Sequence, residues 1–274
     1  MKLNTVLASA VFSTILSTTG MAADMDTPTP NDFAVRLELS GGYNYFGTSG
    51  ANIDGTIIAG GGSVSMPLGP VSAQIDALIQ YEDFGKNRNV TNYSGGLHLG
   101  WRDANVGLLG LSGSLGKFKA SGGAPSVNQQ RIGVEAEYYI DAFTVGADAG
   151  YVRLSAGGAS SDGIYGKLTG KYYTTDNFRF DANAGLYDFD SKNTDAVFAS
   201  AGAEYKLDDY PVSLTARWNG TFLSGPGFNP NSHMVMAGIR IYLGGNGQNT
   251  VKSYDRSNFA ESCTIRSGLG QSFC

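Results

Sequence analysis

Cysteine and histidine are nearly missing: two of each occur in 274 residues. So sparse a supply excludes a disulfide framework and gives no metal-ligand spacing, and no cofactor is expected. Charge is scarce too, at 16% of residues with a formal net charge of −5. With no Lys/Arg cluster to set against it, that balance argues against nucleic acid as a partner. Long apolar runs are confined to one, Val6 to Leu16, which is shorter than the roughly 20 residues of a spanning helix. Preceded by Lys2 and followed by Gly20-Met21-Ala22, it reads as the middle of an export signal over residues 1–22. Any membrane insertion by the rest of the chain must therefore use strands.

What is abundant points the same way. Hydrophobic residues make up 42% of the chain, with 39 glycines and 15 tyrosines, a composition that argues against disorder and for an all-β protein. After a linker over residues 23–31 holding Pro28 and Pro30, apolar and polar side chains alternate almost without interruption. Strand three is a clear case, with Val71, Ala73, Ile75, Ala77, Ile79 and Tyr81 against Ser72, Gln74, Asp76, Gln80 and Glu82. Twelve such segments can be drawn between residues 32 and 243, or ten if segment five or segment ten is not a strand. Strand two is expected over Ile58 to Met66. In strand five, Leu108 breaks the alternation and suggests a bulge.

The last segment, Ser232 to Leu243, sets Val235, Ala237, Ile239, Ile241 and Leu243 opposite Met234, Met236, Gly238, Arg240 and Tyr242. It fits x-x-Gly-x-x-apolar-x-apolar through Gly238, Ile241 and Leu243, and so resembles the closing strand of a bacterial outer-membrane β-barrel, where that pattern is the insertion signal. The resemblance implies a transmembrane antiparallel up-and-down barrel in a Gram-negative outer membrane, handled by the barrel-insertion machinery and surrounded by outer-membrane lipid. Connectors after even strands are tight. Those after odd strands, including Asp83 to Asn89, Ser155 to Ser161 and Leu223 to Asn231, are expected to be longer, as extracellular loops are. An even strand count puts both termini in the periplasm. Alternation alone suits a soluble barrel equally well. Two features favour the membrane: aromatics of the apolar face gather at strand ends (Tyr43, Tyr81 and Tyr151 at one rim; Trp101, Tyr138, Tyr172, Phe178 and Tyr205 at the other), and that face carries no charge at strand centres.

The polar parity then lines a lumen. Its candidates are Arg36, Glu38, Asp76, Arg131, Glu135, Asp148, Lys167, Arg179, Asp181, Arg217 and Arg240, with the signs nearly balanced. Either they hold a water-filled pore for small polar solutes, or they pair across the lumen and brace it shut. Small residues on this parity, among them Gly133, Gly185 and Gly238, favour a narrow, porin-like channel of weak selectivity. The alternative is a surface structural or adhesion protein working through its loops. Closure of strand twelve on strand one should place Arg240 beside Glu38.

A catalytic reading has little behind it. His98 is followed by Leu99-Gly100, without the His-x-Ser of phospholipase-type barrels, and falls on the lumen parity. His233 reads as a rim residue, with Glu82, Asp83, Asp162 and Asp188 at other strand ends. The run Gly60-Gly61-Gly62 has no following lysine or helix and marks a bend or close packing, not a phosphate loop. Residues 244–274 lose the alternation. They hold both cysteines, Cys263 and Cys274, which could form a disulfide in an oxidising periplasm. This tail could be floppy, bind a periplasmic partner or fold back as a plug; oligomeric state is not legible.

Overall fold

Successive Cβ atoms of an extended chain point to opposite faces, so period-two patterning makes a sheet with one apolar and one polar side. Closing that sheet on itself removes its unpaired edges. The computed structural model describes residues 33–47, 52–69, 71–86, 88–123, 125–190, 194–224, 229–245 and 249–261. The export signal and linker therefore lie outside the described residues, as do Cys263 and Cys274.

The strands are β1 (Ala34–Gly47), β2 (Asn52–Leu68), β3 (Val71–Asp83), β4 (Asn89–Asp103), β5 (Gly107–Ala120), β6 (Val127–Ile140), β7 (Phe143–Ala156), β8 (Ala159–Thr175), β9 (Phe178–Phe189), β10 (Thr194–Lys206), β11 (Val212–Ser224) and β12 (Asn231–Gly244). Each pairs antiparallel with its sequence neighbours, and β12 returns to β1 to close a twelve-stranded barrel. Strands five and ten both form, so the ten-strand count falls away. Among the described residues, one short helix, α1 (Val251–Ser257), follows the closing strand.

The barrel is inside out relative to a soluble one. Leu168 is 68% exposed and Leu115 65%, both facing outward, while Asp76 and Glu204 are 1% exposed inside. A soluble barrel would bury its leucines. No helix among the described residues is long and apolar enough to cross a membrane.

Several local expectations change. β5 pairs with β4 and β6 in unbroken register, and Leu108 is buried on the lumen side, so the apparent break is an apolar lumen residue and not a bulge. The register shift lies instead between Tyr173 and Thr175, where β8 meets β9. β2 starts at Asn52 rather than Ile58, because buried Gly55 and Ile57 alternate with exposed Asp54 and Thr56 and extend the pattern backwards. The expected loop Ser155 to Ser161 is mostly strand. β7 and β8 meet at Gly157 (φ +58) and Gly158 (φ +88), positive angles that suit a tight two-residue hairpin turn. The longest connections at that end are 121–126 and 225–230, so the asymmetry of the two ends is real but modest.

Candidate functional site

The lumen is layered. Towards the long-loop end its wall is apolar: Val152, Tyr165, Tyr187, Ala196 and Phe198 form one cluster on β7 to β10, and Ile57, Ala59, Leu78, Met234 and Met236 another on β2, β3 and β12. These side chains occupy the room that inward glycines seemed to leave. A Cβ on Gly133 would sit 2.1 Å from the Tyr165 hydroxyl, and one on Gly185 2.2 Å from Cζ of Phe198. Gly133 and Gly185 admit aromatic rings from other strands, β8 and β10, and do not widen the lumen.

Below this layer the ionisable residues pair with one another, mostly between strands. Arg240, on the closing strand, meets Glu38 of β1 at 2.6 Å and also Glu204, the neighbourhood expected from strand order. Arg179 bonds Asp181 (3.2 Å) and Glu204 (3.0 Å), Arg217 bonds Asp181 (2.7 Å), and Lys171 bonds Glu137 (2.9 Å). Arg131 lies 3.8 Å over the Tyr165 ring and 3.7 Å from Asp148. His98 is in the lumen, Nδ1 2.8 Å from Glu135 and Nε2 3.0 Å from Asp76. Basic and acidic residues therefore interleave and do not segregate to opposite walls. Charges withdrawn from water need such partners, and removing one member of a buried pair strands the other.

The short-turn end is filled by the chain's own tail. Thr250 caps α1 reciprocally, its Oγ1 accepting from the Ser253 amide while Ser253 Oγ accepts from the Thr250 amide, each at 3.1 Å. Tyr254 stacks on Tyr242 of β12, with centroids 4.4 Å apart, and donates to the Gly244 carbonyl (3.0 Å). Phe259 is wholly buried, 4.7 Å beneath the Arg36 guanidinium. Gln74 of β3 clasps the Ala260 backbone, accepting from its amide at 2.8 Å and donating to its carbonyl at 3.3 Å. Arg102 of β4 donates to the Asp255 carbonyl (3.0 Å).

Two tail carboxylates reach further in. Asp255 bonds Arg179 and accepts from the Tyr173 hydroxyl at 2.9 Å. Burial pushes its carboxyl up, but Arg179 and Lys171 outweigh that and hold it well below the usual carboxylate range. Glu261 is bound through both oxygens. Oε1 meets Asn183 Nδ2 (3.2 Å) and Arg217 (4.0 Å), and Oε2 meets Thr169 Oγ1 (3.3 Å) and Lys167 (3.8 Å). Burial again raises its pKa, and Lys167, Lys171, Arg217 and Arg179 pull it down to about 2. Between tail and wall there is a cavity of about 70 Å³, bordered by Arg36, Glu38, Gly61, Gly62 and Arg240. That is space for a few waters.

All eleven lumen candidates lie inside, and the eight girdle candidates lie on the outer face. Phe143 stacks on Tyr172 (4.6 Å), and Phe178 packs edge-on to Tyr205 (6.0 Å). His233 points outward among Tyr45, Trp218 and Phe222, whereas Glu82 is buried in the lumen. The wall therefore separates His233 from Glu82 alone; Asp83 and Asp188 are exposed on the outer face, and Asp162 lies there too, accepting from the outward Tyr151 hydroxyl. Sequence reasoning missed the inward aromatics Tyr165, Tyr187 and Phe198, although their parity, shared with Lys167, Arg179 and Ser200, carried the signal. It also missed Asp255 and Glu261, which no periodicity marks.

Comparison with solved structures yields the translocator domain of autotransporter NalP from Neisseria meningitidis, 11% identical, covering 87% of this chain and 95% of that one with a TM-score of 0.50. This chain has the outer-membrane β-barrel fold. Other barrels aligned with it include the KdgM porin in complex with disordered oligogalacturonate (8% identity, 74% and 98% coverage, TM-score 0.47) and an anion-selective porin from Comamonas acidovorans (10%, 77% and 99%, 0.40). No family model and no curated protein matches this outer-membrane barrel.

Proposed function

We propose that this outer-membrane barrel is a channel for passive diffusion of small polar solutes, weakly selective and held shut by its own C-terminal segment. The observation that carries it is the layout of the tail contacts. Residues 250–261 are held mainly by side chains and a few backbone bonds such as Lys252 to Asp176 (3.0 Å), while the strand ladder closes without them. The tail can leave while the barrel stands. In this reading the barrel sits in the outer membrane of a Gram-negative bacterium with its girdle aromatics at the lipid interfaces, short turns and termini in the periplasm, and the closing strand presented to the insertion machinery.

The interleaved ion pairs favour a second reading, a braced and permanently closed barrel with a structural role at the surface. The short connections at the loop end offer little for adhesion. Single-channel recording in planar bilayers separates the two. The full chain is expected to be mostly closed, and a chain ending at Gly244 to conduct steadily. Silence from both, in folded protein, would establish the braced barrel.

A further inference from the structure

The site filled by Glu261 is built for a carboxylate. Each oxygen has one cation within ion-pair reach and one neutral polar group closer by: Arg217 (4.0 Å) and Asn183 (3.2 Å) at Oε1, Lys167 (3.8 Å) and Thr169 (3.3 Å) at Oε2. Two-point, two-oxygen recognition of this kind suits a planar carboxylate. The wall positions three of these groups, Thr169, Asn183 and Arg217, through bonds that do not involve the tail. The one Thr169 hydroxyl proton can go to Asn183 Oδ1 (2.6 Å) when it is not given to the carboxylate, Asn183 donates to Ser200 Oγ (2.9 Å), and Arg217 bonds Asp181 (2.7 Å). Those three groups of the cradle are therefore held in place whether or not the tail is present.

The tail's charges are also sorted by depth. Its acids, Asp255 and Glu261, go inward to Arg179, Lys167 and Arg217. Its bases stay at the short-turn rim, where Lys252 pairs with Asp176 (3.4 Å) and Arg256 caps the carbonyls of Asp141 and Phe143 (2.9 and 2.8 Å). When the tail leaves, two negative charges leave this level of the lumen; Lys171, Arg179 and Arg217 keep their wall partners Glu137, Glu204 and Asp181, and Lys167 loses its ion pair with Glu261. Low-dielectric walls focus the resulting positive potential on whatever enters.

We propose that this cradle is the solute-recognition site of the open channel, that its solutes are small carboxylate-bearing anions, and that the tail is a tethered stand-in for them. The proposal rests on the channel reading, and the test separates their failures. Full-length Asp255→Asn/Glu261→Gln protein, shown to be folded by heat-modifiable migration, is recorded in bilayers and in liposome flux assays. The expected result is several-fold preference for Cl⁻ over K⁺ and several-fold faster entry of malonate than of malonamide, both lost when Lys167→Gln is added. Currents without anion preference, or malonate no faster than malonamide, overturn the assignment and leave the channel standing. Should no variant conduct, the channel reading falls, and a second measurement decides the cradle. In Cys274→Ser protein labelled with a fluorophore at Cys263, malonate should mobilise the label at several-fold lower concentration than malonamide. Equal or absent mobilisation overturns the carboxylate site.

Discussion

Gly185 shows how little slack the lumen has. Its missing side chain is where Phe198 lies, with the Gly166 carbonyl 2.5 Å from a would-be Cβ. Gly185→Ala must push an aromatic ring already wedged against Tyr187 (5.4 Å), and overpacking of this kind costs about 1–3 kcal/mol. Urea titration of the folded barrel in lipid vesicles should show that loss; an unchanged midpoint would mean the apolar layer is loose. The parity of these residues was legible, but not what fills the space beside them. A glycine in a pattern says only that a side chain is missing, and the ring that takes its place comes from another strand.

At the level of elements, α1 and its extension are the part that moves in this account. Both tail carboxyls have lower pKa values docked than free. Docking that depends on their charge is complete above the ordinary carboxylate range and is lost as pH falls through the docked values. For Glu261 the window runs from the usual 4.5 down to about 2. Acidification through that window should mobilise a label at Cys263 and raise channel open time, reversibly. In Asp255→Asn/Glu261→Gln protein both responses should be blunted, because the titrating groups are gone. Tail motion insensitive to pH would show that Tyr254 and Phe259, not the carboxylates, hold it. The sequence marked this segment only as non-alternating. Its landing place depends on pairs as distant as Gln74 and Ala260.

The whole molecule is organised by its inverted polarity. Outward Leu111, paired with Leu99 and Val134 at mid-strand, belongs against hydrocarbon. Leu111→Arg should cost about 2–4 kcal/mol of stability in bilayers, read from the urea midpoint in vesicles, whereas Lys117→Arg near the loop end should be close to neutral. Equal effects would argue that Leu111 does not face lipid.

Strand number, the two faces and the outward aromatics were written into the chain, because period-two alternation is a local property that each segment states for itself. Export and outer-membrane residence were readings from the same local signals. What tertiary structure alone decided is how the lumen is used: which acid meets which base, which ring covers which glycine, and that the tail enters to supply two carboxylates. Those outcomes depend on register summed around twelve strands and on where a segment past the closing strand comes to rest. Neither is encoded by any single stretch, because charge pairing and cavity filling are relations between residues far apart in the chain.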